Sequence, residues 1–247
     1  MISLLIAALL LVGCEASNHV SVDRLIERHT ESRGGTEAIE KVHSLRLALE
    51  ITEPAFTVRG DYVATRDGYM RIDIYSGNER VFTEALGPGG GWQLVQGPPV
   101  ATDLSEDGEK ALKRGLTENL YGLHELSKLN YTLSLSETGA EDAESSWAID
   151  QVGPDGHSKR LFMDQSSFLI TRTLDTSALH PDIDDTQSQT ETRYADFETS
   201  SGVLFARRTE KIDTATAQVV QTVVVKKIDI NPTIDASRFD RPSRISP

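Results

Sequence analysis

The chain holds one cysteine in 247 residues, Cys14. A single thiol excludes a disulfide within the chain, a cysteine-based zinc site and an iron–sulfur cluster. Positive charge is also scarce: 25 Lys and Arg stand against 38 Asp and Glu, a net charge of −13. That balance argues against nucleic acid or an anionic bilayer as the main partner, because both demand a basic surface. Long apolar runs are missing too. The run from Leu4 to Val12, LLIAALLLV, is nine residues, against the roughly 20 that a helix needs to cross a bilayer. There is no Gly-x-Ser-x-Gly elbow, His-Glu-x-x-His pair, P-loop or Rossmann glycine pattern. Gly87-Pro-Gly-Gly-Gly91 has no Lys-Ser/Thr after it and precedes a strand pattern, so it reads as a hairpin turn. The expectation is a protein without enzymatic activity, cofactor or metal.

What is present begins at the N-terminus. Nine apolar residues is the length of a signal-peptide core, and Leu11-Val12-Gly13-Cys14 resembles the bacterial lipobox. In that motif the cysteine receives diacylglycerol and becomes the first residue after cleavage, and Gly13 leaves room for the peptidase. The resemblance divides the chain into a signal peptide, residues 1–13, a lipidated tether, 14–20, and one folded domain, 21–247. The alternative is that Cys14 is a small buried residue in an apolar segment. Met1-Ile2-Ser3 carries no Lys or Arg where a basic n-region is expected, which points to a start of translation upstream of Met1. Each buried methylene adds about 0.8 kcal/mol, so two or three acyl chains hold a domain stably where one does not.

Beyond the tether, Ser21 can cap a helix from Val22 to about Ser32, with Leu25, Ile26 and His29 on one face and Gly34-Gly35 as its stop. Thr36 can cap a second short helix, Glu37 to Val42. The period then changes to two, the mark of half-buried strands. Leu45, Leu47, Leu49 and Ile51 alternate with Arg46, Ala48 and Glu50. Strands are expected at Phe56–Tyr62, Met70–Ile74, Arg80–Leu86 and Trp92–Val95, joined by short turns as an antiparallel meander. Between Ser105 and about Leu126, Leu112, Leu116, Leu120 and Leu123 recur at helical spacing, with acidic residues at the start. Strands resume around Tyr131–Leu135, Trp147–Ile149, Arg160–Met163 and Phe168–Ile170. Ser177 to Gln189 reads as a mobile acidic loop. Thr192–Lys211, bent or split at Ser201-Gly202, and Ala217–Ile230 close the order, and Phe239 is the one large apolar contact of the tail. The total is about eleven strands and three helices.

The opening helices with "RGGTEAIEKVHSLRLALEI", the meander with "GPGGGWQL", the central helix and the closing "KIDINPTIDASRFDRP" resemble the outer-membrane lipoprotein-sorting (LolA/LolB-like) superfamily. The resemblance covers roughly residues 20 to 242. It implies a mainly β fold, a curved, incomplete antiparallel barrel with helices packed in its concave face, and acyl chains bound between sheet and helices. It also implies partners: acyl chains or lipoproteins, the membrane through the anchor, and in a second reading an envelope protein docked on the sheet of a non-transporting scaffold. A hydrolase built from carboxylates or histidines is the remaining alternative. Inward strand positions supply the candidate ligand contacts: Leu47, Leu49, Phe56, Tyr62, Met70, Ile72 and Ile74, then Phe82, Trp92 and Leu116. For any single one of them, plain core packing is the competing reading. In the family context Asp after the lipidated cysteine is the retention signal for the inner membrane, so Glu15 points to the outer membrane.

Histidines add little. His180-Pro-Asp-Ile-Asp-Asp185 sets one imidazole near three carboxylates, but without the spacing of a calcium loop. His29 lies on an apolar helix face and reads as a packed core histidine. His43, His124 and His157 show no partner pattern.

Overall fold

The computed structural model describes residues 20–97, 100–136 and 145–242. Cys14, the expected signal peptide and most of the tether lie outside the described residues. Two helices come first, α1 (Val22–Ser32) and α2 (Thr36–Glu40). Ser21 caps α1 by accepting a hydrogen bond from the Arg24 amide. Six strands follow: β1 (Ser44–Glu53), β2 (Phe56–Thr65), β3 (Met70–Ser76), β4 (Glu79–Gly87), β5 (Gly90–Val95) and the short β6 (Thr102–Asp103). Helix α3 (Glu106–Leu120), capped by Ser105, and a 3₁₀ segment (Leu123–Leu129) lead to the second half. Its strands are β7 (Thr132–Leu135), β8 (Ser146–Val152), β9 (Ser158–Asp164), β10 (Ile170–Ser177), β11 (Ser188–Ser200), β12 (Val203–Asp213) and β13 (Val219–Ile230).

All thirteen described strands form one antiparallel sheet in the order β6-β5-β4-β3-β2-β1-β13-β12-β11-β10-β9-β8-β7. Each half is a meander, and the seam is the pairing of β1 with β13. The two outer edges, β6 and β7, are neighbours in sequence. The connection between them, α3 and the 3₁₀ segment, must therefore pass from one edge of the open sheet to the other. It does so over the concave face: Leu116 and Leu120 pack with Leu47, Tyr62, Ala64 and Met70. Helix α1 covers the other half, with Leu25 against Ile149, Leu161 and Met163. Curvature has a local cause at the seam. Ala48 pairs with Lys227 but Leu49 with Val225, so Lys226 is a bulge, which bends the strand and raises its twist. Val225 and Ile228, three apart, can then both pack toward the helices.

The α1–α2 turn is fixed against this sheet. Ser201 and Gly202, with φ of 48° and 85°, form the tight β11–β12 hairpin, and Leu204 N–H donates to the Arg33 carbonyl at 2.9 Å. Gly34 sits at φ 115°, and a Cβ there would lie 2.0 Å from the Gly202 carbonyl oxygen. Gly34→Ala is therefore expected to destabilise the fold by on the order of 3 kcal/mol, from positive-φ strain plus the clash. Chemical denaturation measures it, and a loss below about 1 kcal/mol would mean the hairpin tip moves aside freely.

Several expected boundaries are corrected. The count rises from about eleven strands because the two-residue β6 is too short to show an alternation and Thr192–Lys211 takes the split form, at Ser201-Gly202, of its two expected forms. Gly35, not Thr36, occupies the cap position of α2, and no side chain caps it. Helix α3 stops at Leu120 because Tyr121 turns extended (φ −113°, ψ 147°), so Leu123 belongs to the 3₁₀ segment. Phe168 has φ 58° and sits in the turn before β10, stacked on Trp147. The stretch expected to be a mobile loop is tied down. Asp182 accepts from the Ser105 amide at 2.6 Å at the start of α3, and His180 Nε2 bonds to Glu53 Oε1 at 2.9 Å. Phe239 is 2% exposed, as the tail's apolar contact should be.

Candidate binding cavity between sheet and helices

Residues directly opposite in an antiparallel ladder share a face, so the register assigns every candidate. One inner-face row runs Leu47, Tyr62, Ile72, Glu84, and the next Leu49, Gly60, Ile74, Phe82. Trp92 pairs with Ala85, one position off the inner row, and therefore projects from the opposite face. There it is 2% exposed, and its indole N–H donates to the Phe239 carbonyl at 3.0 Å. The inward expectation for Trp92 is thus corrected: a shift of one residue in a strand reverses the face. Phe56 pairs with Glu53 at the hairpin end of the inner face and is 47% exposed, whereas Glu53 beside it is covered by His180 and Gln221.

A cavity of about 350 Å³ lies between the concave face and the helices. Leu47, Leu49 and Tyr62 line it. Met70 and Leu116 are buried in the packed core beside it, with Ile72 against them. Ile74 and Phe82 lie farther along the inner face. The far wall comes from strands not considered for ligand contacts: Ile170 on β10, Phe197 on β11, Phe205 on β12, and Val223 and Val225 on β13. Leu123 and Leu126 enter from the 3₁₀ segment. The only sequence signal for that wall was the valine-rich run of β13. A larger cleft, about 620 Å³, sits among Arg46, Asp61, Lys226 and Asp229. Its charged rim suits water rather than an apolar ligand.

One part of the cavity is polar. Lys159, paired across the strands with Gln151, has a side chain only 8% exposed and forms an ion pair with Glu118 on α3, itself 43% exposed. Burial acts to lower the Lys159 pKa, but Glu118 and the nearby Tyr194 and Asp175 outweigh it, and the net shift is upward. Thr173 and Tyr194 share a hydroxyl contact of 3.4 Å. Burial raises the phenols of Tyr62 and Tyr194, and Glu118 acts on both. His29 Nδ1 meets the Phe168 carbonyl at 2.8 Å, and burial, with Arg33 nearby, holds its pKa down to about 4. It is a neutral, packed histidine. Arg33 donates to the Leu204 carbonyl at 3.2 Å and lies over the Phe205 ring.

The helices are held over this space by Arg66, from the β2–β3 turn. Its guanidinium meets Glu125 at 2.5 and 3.1 Å and donates to the carbonyls of Val42, Ile39 and Leu120. Among the described residues, ligand atoms of Glu40, His124 and Glu125 lie within 4.8 Å of one another. Glu125 is committed to Arg66, so a metal there would have to break that pair. His180, Asp182 and Asp184 do not converge: they bond to Glu53, the Ser105 amide and the Thr186 amide respectively.

The open sheet, the helices bridging its two edges and the cavity between them define a class: half-barrel proteins with a helical cover over the concave face. No protein-family model and no curated protein matches the chain. Solved structures do. A LolA superfamily protein from Nitrosomonas europaea superposes with a TM-score of 0.58 at 14% identity, over 90% of this chain and 98% of that one. A DUF1329 family protein from Desulfovibrio piger gives 0.58 at 10%, over 89% and 97%. An outer membrane lipoprotein-sorting protein domain from Vibrio parahaemolyticus gives 0.57 at 8%, over 87% and 94%. The chain has a LolA-like fold. At these identities the likeness concerns the fold and carries no residue roles.

Proposed function

We propose that this is a non-enzymatic protein of the bacterial envelope, anchored through lipid on Cys14, facing the periplasm from the outer membrane. Its cavity takes an acyl chain of a lipoprotein or of another envelope lipid, in lipoprotein sorting or lipid transfer. The observation that supports this reading best is the 350 Å³ cavity, walled by Leu47, Leu49, Phe197, Phe205, Val223 and Val225. Exposing an acyl chain of about 16 carbons to water costs on the order of 10 kcal/mol. A carrier must replace that water with apolar wall. Ligand pockets run from roughly 300 to 1,000 Å³, so the volume suits a slender ligand.

Native mass spectrometry of protein extracted from its own envelope tests the cavity. The expected result is one or more lipid-sized mass increments that leave on collisional activation. Protein that is lipid-free in its own membrane would sink the reading in favour of a scaffold that docks a protein. The anchor has a separate test: Cys14→Ser should abolish metabolic palmitate labelling, and retained labelling would refute it.

A further inference from the structure

We propose that the polar part of the cavity receives the anionic headgroup, carboxylate or phosphate, of a single-chain amphiphile whose tail lies against the apolar wall. Lys159 and the hydroxyls of Tyr62 and Tyr194 are its donors. The inference rests on the reading of the cavity as an acyl site, and it adds the chemistry of the head.

Three observations carry it. First, a wall that met only hydrocarbon would have no use for an ammonium 8% exposed, since a buried charge is costly unless paired. Second, the pairing is lopsided. Lys159 is deep on β9, whereas Glu118 is 43% exposed on α3. An incoming anion can take over Lys159 while Glu118 returns to water, and α3 stays tied to the second half of the sheet by the Arg114–Asp155 pair at 2.5 Å. Third, the Tyr62 hydroxyl is buried and faces Asn119 without closing a hydrogen bond of acceptable geometry. Buried donors are ordinarily satisfied, and a ligand oxygen would satisfy this one. Lys159, Tyr62 and Tyr194 all line this one cavity, and Glu118 acts electrostatically on each of them. The cavity volume, near the lower end for ligand pockets, favours one chain over several.

Titration calorimetry on delipidated protein with dodecanoate, dodecyl phosphate, dodecanol and dodecyltrimethylammonium, all monomeric, tests this. Both anionic amphiphiles should bind about tenfold or more tightly than dodecanol, the scale of a charge-assisted contact, and the cationic one most weakly. Lys159→Met should bring dodecanoate down to the dodecanol affinity and leave dodecanol unchanged. Glu118→Gln, which keeps Lys159 and removes its competitor, should tighten dodecanoate. It carries the test if the methionine variant does not fold. Equal binding of dodecanoate and dodecanol by the native protein, or no gain in Glu118→Gln, overturns the headgroup assignment while the acyl reading stands. Failure of every amphiphile to bind overturns the acyl reading itself. Acetate and inorganic phosphate should not bind measurably. Binding of inorganic phosphate as tight as that of dodecyl phosphate would mark a free-anion site and overturn the proposal.

Discussion

Arg66→Ala is expected to cost about 3–5 kcal/mol of stability, the usual consequence of stripping a buried charge of its partner. The Glu125 side chain is 7% exposed and that of Arg66 18%. Burial acts to raise the Glu125 pKa, yet the bonds from Arg66 and the Gly122 amide hold it below the ordinary value. Without the guanidinium, the carboxylate has only that amide and His124 beside it. The carbonyls of Val42, just past α2, and of Leu120, at the end of α3, lose the Arg66 donor at the same moment, and that of Ile39, in the last turn of α2, keeps only the Val42 amide. Helix C-termini carry unsatisfied carbonyls and partial negative charge, so one fork-shaped cation serves two helix ends and the 3₁₀ segment together. Tyr121 adds a cation–π contact at 4.4 Å and donates its hydroxyl to the Arg66 carbonyl. Arg66→Lys should fall between, because an ammonium keeps the charge but not the fork. Urea unfolding measures both variants, and hydrogen exchange should show α3 opening first. Lys41→Ala, which removes an exposed pair with Glu37, should leave the urea midpoint in place. A midpoint shift no larger for Arg66→Ala than for Lys41→Ala would mean the helices rest on apolar packing alone.

Arg66 also shows what could be read from sequence and what could not. Its neighbours Asp67-Gly68 announced a hairpin, and the β2–β3 hairpin is there. Nothing local announced that the same turn would clamp segments 27 and 59 residues away. The first strands were legible because Leu45–Ile51 and Met70–Ile74 set apolar inner positions against outer ones that include Arg46, Glu50, Arg71 and Asp73. The second half defeated that rule. Gln151, Lys159, Thr173 and Tyr194 point into the cavity, and alternation assigns polar residues to water. Lys159 even fell outside its expected strand, which began at Arg160. Trp92 failed for the converse reason: a large apolar side chain reads as inward, but here the C-terminal segment brings Phe239 to cover the outer face. Leu123 kept the helical spacing of α3 although the helix had ended. Periodicity does not distinguish an α-helix continued from a 3₁₀ turn that follows it after a break.

Two buried titratable groups should act on stability in opposite directions. Glu84 sits in the inner-face row with Ile72 and Gln93. Burial, and secondarily Asp182, pushes its pKa from 4.5 up to about 7. Between those values the folded state holds the proton more tightly than the unfolded one, so this group's contribution is fully present below pH 4.5 and is lost as pH rises to 7. At about 1.4 kcal/mol per unit, the loss is on the order of 3 kcal/mol. His29 does the reverse. Its pKa drops from 6.5 to about 4 on folding, so the unfolded chain takes the proton first and stability falls as pH drops from 6.5 to 4. Burial lowers His124 too, which adds to the His29 slope. Asp164 and Asp175, lowered to about 2, titrate below this range. From pH 4.5 to 6.5 the two slopes oppose each other, and the native protein should show little net dependence from this pair. Glu84→Gln should therefore gain on the order of 3 kcal/mol above pH 7, and it should uncover the histidine slope, with pH 5 about 2 kcal/mol less stable than pH 7. His29→Gln keeps a donor for the Phe168 carbonyl, and it should uncover the opposite slope, more stable at pH 5 than at pH 7. Urea midpoints at several pH values separate these from any constant cost of substitution. A flat profile in Glu84→Gln would show that the carboxyl is solvated when folded. A protonated Glu84 has a structural consequence as well. Its row continues through Ile72 and Tyr62 to Leu47, so a neutral carboxyl there keeps charge off the inner face that leads to the cavity.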